Sequence, residues 1–139
     1  MTDPESFNLE NVNPPIIGRR CSDFRLLQLH DDLRVLDPAH IMYMEFEDCW
    51  YRFFFESTFA FCISGHAPPT KEDSFSYLKY DSMLYDSAIA SFANGATLES
   101  LTYEDLGDKA TLTFCFTGGS VVTLQRSLNS ESTSIEISS

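Results

Sequence analysis

The stretch "TLTFCFTGGSVVTLQ", residues 111–125, decides the fold class. Leu112, Phe114 and Phe116 alternate with Thr111, Thr113, Cys115 and Thr117, a period of two that marks a strand with one buried face. Beyond Gly118-Gly119 a second strand begins at Val121. Matching faces chooses the register. A two-residue turn at Gly118-Gly119 would set Phe114 opposite Thr123 and Leu112 opposite Gln125. A three-residue loop, Gly118 to Ser120, sets Phe116 opposite Val122 and Phe114 opposite Leu124, so apolar meets apolar. Cys115 then faces Thr123, and Thr113 faces Gln125. The second register is expected, because a one-residue slip turns every side chain to the wrong face. Glycine supplies the positive φ that such a loop needs.

The same reading extends outward. "HIMYMEFEDCWYRFFFESTFAFCIS" (40–64) predicts strands at Ile41–Phe46, Trp50–Phe55 and Thr58–Ile63, with turns at Glu47-Asp48-Cys49 and Glu56-Ser57. In the middle strand both faces are aromatic: Trp50 and Phe54 on one, Tyr51, Phe53 and Phe55 on the other. A strand apolar on both faces is covered on both, so either a helix packs over it or one face is kept for a partner. Towards the C-terminus, strands are predicted at Thr97–Tyr103, Ala110–Thr117, Val121–Ser127 and Thr133–Ile137, with "EDLGD" (104–108) as a turn. "IIGRRCSDFRLL" (16–27) predicts a strand that partly buries Ile17, Cys21, Phe24 and Leu26. A helix over Asp23–Leu36 competes through Leu26, Leu29, Leu33 and Leu36.

One helix is predicted near 82–93. Tyr85, Ala88, Ile89 and Phe92 stand at i, i+3, i+4 and i+7, Asp81 or Ser82 can cap its start, and Asn94-Gly95 can end it. The expected fold class is therefore α+β: mostly antiparallel sheet built from hairpins, with one or two short helices packed on it. Residues 1–15 read as a flexible arm and 16–139 as a single domain. Within it, 16–64 and 94–139 share an outline: a glycine (Gly18, Gly95), a strand, then a hairpin whose first arm ends in Phe (Phe46, Phe116). That predicts two related antiparallel units around one core.

Charge bounds the function. The chain carries 21 acidic and 9 basic residues, and 12 of the acids against 3 of the bases fall in 41–108. Such a surface repels nucleic acid and anionic membranes and steers a basic partner towards it. The polar, acidic start is no export signal, and no apolar run approaches the length of a membrane span. A cytoplasmic location is the expectation, with Cys21, Cys49, Cys62 and Cys115 as reduced thiols that mostly fill core space.

Catalytic signatures are sparse. Cys62 and His66 have a spacing two zinc ligands could use, but no second pair stands nearby in sequence. Glu45 and Glu47 could share a strand face, yet at a hairpin end they read as solvated charges rather than an acid–base pair. There is no nucleophile elbow, phosphate loop or dinucleotide fingerprint. No enzyme activity, metal or cofactor is expected. What remains is acid beside aromatic. Glu45, Glu47, Asp48, Trp50, Tyr51 and Glu56 lie close together, and Tyr103, Glu104, Asp105 and Asp108 lie in the matching turn of the second unit. Carboxylates for encounter and aromatics for buried anchors suit a binder of a basic protein surface. These ten residues are the candidate partner-binding set.

The glycine-led strand "IIGRRCSDF", then "MEFEDCWYRFFF", "LTFCFTGGSVVTL" and "ESTSIEI", resembles in layout the small acidic immunity proteins of bacterial polymorphic-toxin and contact-dependent inhibition systems, over most of residues 16–137. The resemblance implies a cytoplasmic inhibitor of one cognate toxin domain, in many such systems a nuclease with a basic surface; separately, a monomer is expected. It carries over no set of binding residues. In length and acidity the chain is also similar to the acidic chaperones of type III secretion, which carry more amphipathic helix than this sequence offers. A small enzyme without a recognisable motif is the remaining alternative.

Overall fold

The computed structural model of the chain describes residues 5–31, 34–68, 81–85, 95–129 and 132–138. Ten strands run through them: β1 (Ser6–Asn8), β2 (Cys21–Asp31), β3 (Arg34–Phe46), β4 (Cys49–Glu56), β5 (Phe59–Ser64), β6 (Asp81–Tyr85), β7 (Leu98–Asp105), β8 (Lys109–Phe116), β9 (Val121–Ser127) and β10 (Thr133–Ser138). They form a larger sheet in the order β1-β5-β4-β3-β2-β6 and a smaller one in the order β10-β9-β8-β7. All the pairings are antiparallel.

The α+β expectation is wrong. Among the described residues the only helical piece is one 3-10 turn, Thr117–Gly119, and the molecule is nearly all β. Where the helix should begin, Asp81–Tyr85 is strand β6, paired with β2 from Leu26↔Tyr85 to His30↔Asp81. The rest of the expected helix, 86–93, lies outside the described residues. The free edge of β2 presents a row of backbone donors and acceptors. Satisfying them outweighs a helical pattern too short to stand without tertiary support. The competing helix over Asp23–Leu36 is overturned likewise, since its described residues belong to β2 and β3. Ser6–Asn8, expected in a loose arm, pairs with β5 through Phe7↔Cys62.

The hairpin of 111–125 exists, but its loop is Thr117–Gly119, not Gly118–Ser120. Phe114 pairs with Val122, Leu112 with Leu124 and Thr113 with Thr123, two positions from the expected register. Side-chain faces are unchanged by a shift of two, so face matching could not separate the two registers. Backbone conformation does: Gly118 and Gly119 both hold positive φ, 85° and 90°, the left-handed region where a side chain is costly. The β3–β4 connection is a two-residue turn, Glu47-Asp48, closed by the pair Phe46↔Cys49. Both residues sit at positive φ, 49° and 64°, as a type I′ hairpin demands.

The sheets face each other across one core. The larger sheet contributes Phe24, Leu26, Met42, Met44, Phe46, Tyr51 and Phe53; the smaller contributes Leu98, Leu101, Leu112, Phe114, Phe116, Val122 and Leu124. Phe53 and Phe114 meet edge to face across the interface, centroids 4.9 Å apart. Ile16 is fully buried while Ile17 is exposed, the reverse of the expected face.

The two β2 and β7 entrances meet at one corner. Gly18 N–H donates to Leu98 O and Gly95 N–H to Cys21 O; Leu98 N–H donates to Arg19 O and Cys21 N–H to Ala96 O. Gly18 thus answers to Gly95, and Cys21 to Leu98. Each of the latter pairs with a hairpin phenylalanine, Cys21↔Phe46 and Leu98↔Phe116, and each is followed by a bulge. This corner, with the Glu47-Asp48 turn and the Thr117–Gly119 loop, is the near end of the sandwich.

The far end holds the β4–β5 turn, the β7–β8 turn and the end of β9. There the Tyr103 hydroxyl donates to Thr58 O at 2.7 Å, and Leu128 N–H donates to Asp108 O at 2.9 Å. A buried carboxylate, Asp37, also ties the sheets. It accepts from Thr133 N–H at 2.7 Å, faces His40 Nδ1 at 3.1 Å and lies 3.8 Å from Arg126.

Candidate functional site

The structure distributes the ten candidate residues over four places. Tyr51 belongs to the core: it is 4% exposed and meets Phe46 edge to face. Burial pushes its hydroxyl up to about 12, and its ring is not available to a partner. Glu45 and Trp50, opposite each other on β3 and β4, are half-buried on the outer face of the larger sheet. Glu45 Oε1 accepts a hydrogen bond from Ser22 Oγ at 2.9 Å.

That outer face is an aromatic surface crossed by arginine. Phe54 stacks on Phe61 at 5.9 Å, and the Arg52 guanidinium lies 5.4 Å over the Phe54 ring. Tyr43 is buried on the same side, and burial raises its pKa against the lowering effect of the nearby Arg52. The expectation that β4 is apolar on both faces is met by Tyr51, Phe53 and Phe55 pointing inward and Trp50 and Phe54 outward.

Glu47 and Asp48 are exposed at the near end. Glu47 has Arg19 at 3.7 Å, an exposed pair of small energetic worth. With Arg20, Ser22 and Gly95 the two carboxylates line a shallow cleft of about 560 Å³. Cation and anion are mixed there, so this end offers a basic partner no clear preference.

Glu56, Glu104, Asp105 and Asp108 are exposed at the far end. The eight residues of β7 carry the chain roughly 24 Å from Leu98 to Asp105, so these four carboxylates stand well away from Glu47 and Asp48. The Tyr103–Thr58 hydrogen bond brings the end of β7 towards the β4–β5 turn. Tyr103 itself is half-buried, and its hydroxyl pKa is raised chiefly by burial. Its ring packs against the core and its hydroxyl ties the two sheets at this end. The far end thus carries four of the eight candidates other than Tyr51 and Tyr103.

Sequence reasoning missed the apolar part of this end. Of the five large apolar side chains that stand most exposed among the described residues, three are here: Phe59 (47%), Leu106 (46%) and Leu128 (50%). A signal existed for Leu106, the one apolar residue inside the acidic turn "EDLGD". Phe59 and Leu128 gave none, because alternation says which face a residue takes but not whether that face is covered at its end. Beside Leu128 lies a cleft of about 340 Å³ lined by Ser57, Arg126, Ser127 and Leu128.

The other candidates are structural by position. Cys62 is fully buried and His66 is exposed on the following loop. Among the described residues no three His, Cys, Asp or Glu side chains gather to hold a metal ion. Cys21 and Cys62 are buried thiols whose pKa values burial raises, Cys21 to about 12. No described helix is long and apolar enough to cross a membrane. No family model, curated protein or solved structure matches the chain.

Proposed function

We propose that this protein is a stoichiometric inhibitor: a cytoplasmic immunity protein that binds a cognate toxin domain with a basic surface, such as a nuclease, and neutralises it without catalysis. The observation that carries the reading is the convergence of Glu56, Glu104, Asp105 and Asp108 on one end of a rigid two-sheet scaffold. Charges gathered at one end raise the encounter rate with a basic partner and reject acidic ones. A scaffold closed by one continuous core holds them in place at little entropic cost on binding.

The test is binding to, and inhibition of, the product of the neighbouring upstream gene. A one-to-one complex should form and abolish the toxin's activity, with an association rate that falls steeply as salt rises. If the upstream product neither binds nor is inhibited, the reading fails. If it binds with a salt-independent rate, the electrostatic basis fails.

A further inference from the structure

The two halves of the sandwich follow one order, β5-β4-β3-β2 in the larger sheet and β10-β9-β8-β7 in the smaller. The pair Cys21↔Phe46 answers to Leu98↔Phe116. Counting along the ladders from these pairs, Phe53 answers to Leu124 and Cys62 to Ile135. The halves part company at one edge. β5 carries β1 on its outer side, with Phe7 opposite Cys62, whereas β10 ends its sheet. We infer that the open edge of β10 is a docking site for an extended segment of another protein, added antiparallel as β1 is added to β5. The inference goes beyond the inhibitor reading and does not depend on it.

Backbone directions carry the argument. Ser127 N–H donates to Ser132 O, so Ser132, Ser134 and Glu136 turn their backbone groups to β9. Thr133, Ile135 and Ile137 turn theirs away, and Thr133 N–H is taken by Asp37 Oδ1 at 2.7 Å. β5 has the same phase: Leu9 N–H donates to Ala60 O and Ser64 N–H to Glu5 O, both on the β1 side. Asp37 thus closes the edge at Thr133. Among the described residues nothing pairs with the backbone N–H and C=O of Ile135 and Ile137. β10 itself has no proline, lysine or bulge to blunt the edge, and unpaired groups of this kind are what strand addition uses.

The occupant follows from the two faces. Phe7 packs on the core from its place opposite Cys62, so a segment on β10 presents an apolar side chain opposite Ile135, which lies against the same core. Glu136 is exposed on the outer face, and a cation directly opposite it is favoured. A second copy of β10 fits poorly. Pairing Ile135 with Ile137 of the copy sets Glu136 against its own counterpart. Pairing Ile135 with Ile135 brings Ile137 to Thr133, where Asp37 already holds the N–H.

The experiment uses the full isotope-labelled chain and the capped peptide Lys-Val-Lys-Phe-Lys, read by amide exchange and chemical shifts. In the free chain, Ile135 and Ile137 amides should exchange about tenfold or more faster than Ser134 and Glu136. Slow exchange at both overturns the inference, because the edge is then already covered. The peptide should shift and protect Ile135 and Ile137. N-methylation of its Val and Phe, whose amides face β10, should weaken binding about tenfold or more. N-methylation of the second and third Lys, at the same charge, should leave it unchanged. No binding, equal affinity of the two methylated forms, or shifts centred away from β10 overturns the inference. The preference for this peptide over Lys-Val-Glu-Phe-Lys should shrink about threefold in Glu136→Lys; an unchanged preference overturns the cation opposite Glu136. Ile135→Pro removes an N–H that the β9 ladder does not use and should abolish binding with the fold kept. A native dimer that Ile135→Pro dissolves would give the edge to a second copy and overturn the stated occupant.

Discussion

The contact between Phe53 and Phe114 closes the sandwich, and a double-mutant cycle measures it. Both rings are fully buried, with centroids 4.9 Å apart and planes at 88°. Each Phe→Leu change removes buried apolar surface on one sheet and should cost about 1–2 kcal/mol. An edge-to-face pair carries about 0.5–1.5 kcal/mol beyond its buried area, and either single substitution already forfeits that share. The double variant should therefore be more stable than the sum of the singles predicts, by about 0.5–1.5 kcal/mol. The assay is urea unfolding of the four proteins. With a slope of about 1–3 kcal/mol per M, each single variant should lower the midpoint by roughly 0.5–1 M, with the slope unchanged. Additivity within about 0.3 kcal/mol is what distant, uncoupled sites show. That result would mean the rings do not touch and the two sheets do not face each other through these residues.

Two more outcomes follow from the structure. Burial holds the Cys21 proton up to about pH 12, against 9 for an ordinary thiol, so the folded chain keeps a proton that the unfolded chain releases first. Its stabilising contribution is complete below pH 9 and lost as pH rises towards 12, at about 1.4 kcal/mol per pH unit; urea midpoints taken above pH 9 should fall, and fall less steeply in Cys21→Ala. At the near end, replacing Glu47-Asp48 by Asn-Gly relieves side chains held at positive φ. It should stabilise the hairpin by about 1–2 kcal/mol, and an unchanged or lower melting temperature would contradict the turn described.

How much was legible in the sequence varies from element to element. The strands at 41–46, 50–55, 58–63 and 97 onwards follow from alternation, because a sheet with one buried face imposes a period of two on its residues. Alternation also separates Trp50 from Tyr51. It does not say which of the two faces inward; that was settled by Phe53 and its neighbours meeting the smaller sheet. The loop at Thr117–Gly119 escaped for a related reason, since registers two residues apart bury the same side chains. Asp81–Tyr85 read as helix because spacing alone cannot register an open strand edge elsewhere in the chain.

For the candidate site, the sequence by itself determined the kinds of group present: an excess of carboxylates concentrated in 41–108, aromatic strands and tight acidic turns. These are properties of composition and local spacing. Only the tertiary structure decided which of them stand together. It placed Tyr51 in the core, parted Glu47 and Asp48 from Glu56, Glu104, Asp105 and Asp108, and left Phe59, Leu106 and Leu128 exposed. The physical reason is that proximity between sheets depends on how strands are ordered and packed, and residues far apart in the chain carry no local mark of the neighbours they will meet.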